Sequence, residues 1–149
     1  MRRIGAVGLV LLAFLAISAG LARVLSANGG ERSAIARLLD AQGRGDAAAM
    51  MAQIDGCARQ PACRTLADAN AARLRSPGKV EIVRLDPSTN FSLGGATGTA
   101  RVVWTAPSRT TVVQCVRVHR GGNVLSGLTI DLRRLSAPID RESSCTSGS

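Results

Sequence analysis

Tyrosine is absent from this chain, and only three other aromatic residues occur in its 149 positions: Phe14, Phe91 and Trp104. That scarcity argues against an aromatic platform on which bases or sugars could stack. There is one histidine, His119, and one lysine, Lys79. No cysteine precedes Cys57, so no residue is available to carry an N-terminal lipid. No Cys-x-x-Cys redox pair occurs. The spacings Cys57-x₅-Cys63 and Cys115-x₂₉-Cys145, with a lone histidine, do not match a zinc site, which needs two close ligand pairs. Gly94-Gly95-Ala96-Thr97-Gly98 lacks the Gly-Lys-Ser/Thr ending of a phosphate loop and reads as a bend before a strand. No cofactor or metal is expected.

The most informative feature present is the amino terminus. Arg2 and Arg3 precede nineteen uncharged residues, 4 to 22, and Arg23 closes the run. A bilayer core about 30 Å thick requires roughly 20 apolar helical residues, so the run is long enough to span. The leading arginines predict a cytoplasmic N-terminus with the remainder of the chain translocated. Residues 1–27 therefore read as a signal anchor and short linker, giving a single-pass cell-membrane protein with an extracytoplasmic domain. Gly20 and Ala22 also permit cleavage after Ala22, which would give a secreted protein instead.

From Arg23 onward seventeen basic residues face ten acidic ones. Such a surplus can hold a domain near anionic headgroups or wall polymers. The absence of a clustered motif, together with export, argues against nucleic acid as a partner. The four cysteines all follow the apolar run, which predicts a disulfide framework with three formal connectivities. In Cys57-Ala-Arg-Gln-Pro-Ala-Cys63 the proline breaks any helix between the sulfurs and lets the chain turn back. The expected pairs are Cys57–Cys63 and Cys115–Cys145, the second tying down the tail, residues 137–149.

After a break at Asn28-Gly29-Gly30, Ile35, Leu38, Leu39 and Gln42 recur with helical period and predict a helix over residues 31–42. Gly43-Arg44-Gly45-Asp46 ends it, with Asp46 as N-cap of a second helix over 47–54. A third is expected over 62–74. From Lys79 the period becomes alternating. Strands are expected to Asp86, over 97–105, over 110–120 and over 124–135, with a polar connection at 88–95 and a tight hairpin at Gly121-Gly122-Asn123. Val112, Gln114, Val116 and Val118 share one face of the third strand, as do Leu128, Ile130 and Leu132 of the fourth. The opposite face carries Val113, Cys115, Arg117, His119, Thr129, Asp131 and Arg133 and is polar and cationic. A Cys115–Cys145 bond would draw the tail across part of that face.

The fold class is α+β: an N-terminal transmembrane helix, then three helices packed on a curved four-stranded antiparallel sheet, with the domain at residues 28–136. This order, with Ile35-Ala-Arg-Leu-Leu-Asp-Ala-Gln-Gly-Arg-Gly-Asp46 as its opening, resembles the NTF2-like, or cystatin-like, α+β cone superfamily in its exported or membrane-anchored branch. The resemblance implies a cone between helices and sheet, and a sheet face by which many members dimerise. Enzymatic members carry an Asp–His pair, or Tyr and Asp groups, inside the cone. Here tyrosine is missing and His119 stands at a strand end, so no catalytic residue is carried over.

The expected function is a non-catalytic, membrane-anchored binding module. Its partner is a small apolar ligand or a cell-envelope protein, and its cone is lined by Trp104, Val112, Gln114, Val116, Ile130 and Leu132. Gln114 among valines either lines a pocket or bonds a neighbouring helix end, since an unpaired buried amide is costly. The competing reading is an exported isomerase- or dehydratase-type enzyme using the same cone. Asp131, Arg133, Arg117 and Arg101 form a charged cluster that would suit an acidic ligand, or simply pair across an exposed face.

Overall fold

The structure is a computed structural model that describes residues 2–87, 96–123, 127–140, 143 and 145. Helix α1 spans Arg2–Arg44, α2 Ala47–Gln53 and α3 Pro61–Leu74, with a 3-10 turn at Cys57–Arg59. Strands β1 Glu81–Asp86, β2 Ala96–Ala106, β3 Arg109–Asn123 and β4 Gly127–Leu135 form one antiparallel sheet in sequence order. This is an α+β fold with a helical layer on one face of a meander.

The glycine-rich break expected at residues 28–30 is not there, nor is the short linker: α1 is one helix of 43 residues. A glycine in a helix interior costs roughly 1 kcal/mol relative to alanine. Packing of α1 on the sheet outweighs that cost. Gly30 faces β4, where a Cβ would make ordinary van der Waals contact with Cγ1 of Ile130 at 3.5 Å. Within the uncharged run, side chains are described for residues 11 to 19, and all are exposed. Among the described residues no helix is long and apolar enough to cross a membrane.

The helical boundaries follow local chemistry. At the end of α1, Gly45 has φ 74°, its N–H donates to Gln42 O at 2.9 Å and the N–H of Asp46 donates to Ala41 O at 2.9 Å. This is the left-handed cap that glycine adopts without strain. Asp46 then accepts from the N–H of Ala49 at 2.9 Å as N-cap of α2. Pro61 occupies the first position of α3, where its missing N–H and fixed φ fit. At the other end of α3 the Arg109 guanidinium donates to the carbonyls of Arg73 at 2.9 Å and Arg75 at 3.3 Å, a cation where the helix dipole favours one.

The sheet shows the expected faces. Ala100, Val102 and Trp104 of β2, Val112, Val116 and Val118 of β3, and Leu132 of β4 are buried against Ile35, Leu38 and Leu39 of α1 and Met50 and Ile54 of the α2 region. The third strand does not turn at Gly121-Gly122-Asn123. Those residues pair with Thr129, Leu128 and Gly127, so β3 runs three residues further, to Asn123, and β4 begins at Gly127 instead of Val124. A Cβ at Gly121 would meet Oγ1 of Thr129 at 2.9 Å, so this glycine serves close strand approach. The turn itself, and the connection at 88–95, lie outside the described residues.

Both expected disulfides are present, Cys57–Cys63 and Cys115–Cys145. Beyond β4 the chain follows β3: the N–H of Ser136 donates to Cys115 O at 2.9 Å, and that of Ile139 to Val113 O at 2.8 Å. Val113 and Cys115 are buried, although they alternate onto the polar face.

Candidate functional site

Gln114 is the first residue of interest, because its amide is fully buried among valines. Its Oε1 accepts from Nε2 of Gln42 at 3.0 Å and from Nε1 of Trp104 at 2.8 Å. Its Nε2 donates to Oε1 of Gln42 at 3.2 Å and to the carbonyl of Ser136 at 2.9 Å. Two donors and two acceptor lone pairs are all used, so this amide faces no cavity. Of the two expected roles, it performs the second: it bonds the last turns of α1. The same Ser136 carbonyl accepts from Nδ2 of Asn70 at 3.0 Å, so the root of the tail is tied to α1, α3 and β3 at one point.

The other residues expected to line a cone are packed against neighbours. Trp104 and Val116 are fully buried, Val112 and Leu132 nearly so, and Ile130 is half-buried against the core. The void between α2, α3 and Leu135 holds about 10 Å³, room for little more than one water probe. A larger space among the described residues has a different lining.

That space is a groove of about 570 Å³ on the outer side of the sheet. The sheet contributes Thr97, Arg117, His119, Arg133 and Arg134, and the helical layer contributes Asp55, Gln60, Ala62, Cys63 and Leu66. Two local features bring these sides together. The N–H of Asp55 donates to the carbonyl of Leu132 at 2.7 Å and Ile54 bridges Leu132, so the segment after α2 runs along the edge of β4. The Cys57–Cys63 bond then folds the start of α3 back beside it.

A bulge in β4 places the cations. Val118 pairs with Leu132 and Arg117 with Arg134, so Arg133 is the extra residue. Leu132 and Leu135 both point inward while Arg133 and Arg134 are both exposed. Arg133 pairs with Asp55 and lies 3.9 Å from Asp131. His119 bonds Oγ1 of Thr97 through Nδ1 at 3.0 Å, and Asp131 is its cross-strand partner.

Of the charged cluster read from alternation, Arg117 and Arg133 line the groove. Arg101 is drawn off toward Asp86, at 3.7 Å, and toward the carbonyl of Ser143, at 3.3 Å. Arg134, Asp55 and Gln60 were not anticipated. The first has a legible signal: two adjacent arginines between leucines three apart cannot satisfy strict alternation and require a bulge. Asp55 and Gln60 reach the groove through long-range packing with no local signature.

Also not anticipated is a buried ion pair. Glu31 of α1 accepts from Nε of Arg120 at 2.9 Å and from its terminal nitrogen as well, with Glu31 fully and Arg120 almost fully buried. Comparisons with protein-family models, with curated proteins and with solved structures each find no match.

Proposed function

We propose that this chain is a membrane-anchored, extracytoplasmic binding domain that takes a small polar ligand in the groove between the outer sheet face and the start of α3. The observation that carries this reading is an open groove of about 570 Å³ lined by three arginines and the only histidine. A groove of that volume is within the range of small-molecule sites.

The location rests on three further points. The uncharged run of residues 4–22 is of spanning length. Leu11, Leu12, Phe14, Leu15 and Ile17 are 55 to 70% exposed and distributed around the helix, so no protein face covers them. A helix apolar on all sides suits a bilayer. Two disulfides and no free cysteine suit an oxidising compartment. A helical layer followed by a four-stranded meander supports assignment to the NTF2-like superfamily, here with its ligand site outside the cone.

Thermal unfolding of the full chain in detergent, against a panel of small anionic and neutral solutes, tests the site. A ligand that binds only the folded state raises the midpoint with its concentration. The expected result is stabilisation by a member of the panel that disappears in the Arg117→Ala/Arg134→Ala variant. Stabilisation that persists in that variant would place the site elsewhere.

A further inference from the structure

Arg117 and Arg134 stand directly opposite each other on β3 and β4. Like charges in that position repel and cost stability. Both are exposed, and neither has a carboxylate within ion-pair distance among the described residues. Their neighbour Arg133 is already paired with Asp55 and lies near Asp131, so those carboxylates do not relieve the opposed pair. Both arginines line the groove, and its one carboxylate among the described lining residues, Asp55, is engaged by Arg133.

Resting on the groove as the ligand site, we propose that the ligand carries a phosphate group, bound between Arg117 and Arg134. The guanidinium fork matches phosphate oxygens in bidentate fashion, and two such groups lining one groove match the charge of a dianion, whereas one carboxylate would leave a positive charge uncompensated. The lining also offers neutral hydrogen-bonding groups, Thr97 and His119, joined at 3.0 Å, and Gln60. Ala62 and Cys63, in the first turn of α3, line the same groove, and that turn has neither a side-chain cap nor an acidic residue. The partial positive charge there adds to the field of the arginines.

The test is a titration of the isotope-labelled full chain, held in detergent, with sodium phosphate at constant ionic strength, read by amide chemical shifts. The expected result is saturable shifts at Ala62, Cys63, Arg117 and His119. Arg117→Gln and Arg134→Gln are each expected to weaken binding by about tenfold or more, with the rest of the spectrum unchanged. The chain in nanodiscs containing phosphatidic acid, compared with phosphatidylcholine alone, distinguishes a lipid headgroup from a soluble phosphate: groove shifts in either arm support the proposal. Groove silence toward both phosphate sources overturns it, as do shifts scattered over surface arginines or untouched by both substitutions. If a neutral sugar shifts the groove amides where phosphate does not, the phosphate is rejected and the groove stands. If the groove is silent to the sugar as well, both readings fail.

Discussion

Gln114 uses both of its amide protons and both carbonyl lone pairs inside the core, linking α1, β2, β3 and the root of the tail. Replacing it with leucine strands the indole N–H of Trp104 and the amide of Gln42 in an apolar interior. Each buried group left unpaired costs about 1–3 kcal/mol, so Gln114→Leu is expected to destabilise by about 3 kcal/mol, measured by urea unfolding. The double variant with Gln42→Leu removes one stranded partner and is expected to lose less than the sum of the two single changes. Glu31 behaves differently because it is charged. Glu31→Ala removes the carboxylate that the buried Arg120 bonds and is expected to destabilise by about 3 kcal/mol in urea unfolding, whereas Glu31→Leu with Arg120→Met recovers most of that loss. The oddity of Gln114 was visible in the sequence as a polar residue in a valine run. Its partner Gln42, 72 residues away, was not, since only the packing of α1 on the sheet brings them together.

At the scale of elements, glycines had two different meanings that composition alone could not separate. Gly45 ends α1 with a positive φ of 74°, and a Cβ there would meet Cδ of Arg75 at 3.0 Å. Gly45→Ala is therefore expected to lose about 1–2 kcal/mol in thermal or urea unfolding. Gly29 and Gly30, by contrast, lie inside α1, and Gly121 and Gly122 lie inside β3. There the packing of α1 on β4 and the pairing of β3 with β4 decide the conformation, and the breaks read from local propensity do not occur. The buried faces of α1, β2 and β3 were legible because period 3.6 and period 2 are written directly in the order of apolar residues. The groove was legible only in part. Arg117, His119 and Arg133 followed from alternation, but the bulge that adds Arg134 and the edge contact that adds Asp55 depend on how β4 meets the segment after α2.

Across the whole molecule, one helix continues from the apolar run into the domain core, and two disulfides close a short loop at the groove and a longer loop through the tail. By loop length, removing Cys115–Cys145 with paired serines is expected to cost roughly 3.5 kcal/mol and removing Cys57–Cys63 roughly 2 kcal/mol, compared by urea unfolding of oxidised chains. The larger loss should be accompanied by faster amide exchange at Cys115, whose N–H donates to Oγ of Ser136 at the root of the tail. The proposed placement is a membrane-held domain working outside the cytoplasm with both bonds formed. Intact mass of the protein from the membrane fraction of its own host, alkylated before and after reduction, tests it most directly. The account predicts a full-length, membrane-bound species that takes no alkyl group before reduction and four after it, one for each cysteine. Alkylation without reduction would contradict both the disulfide framework and the topology.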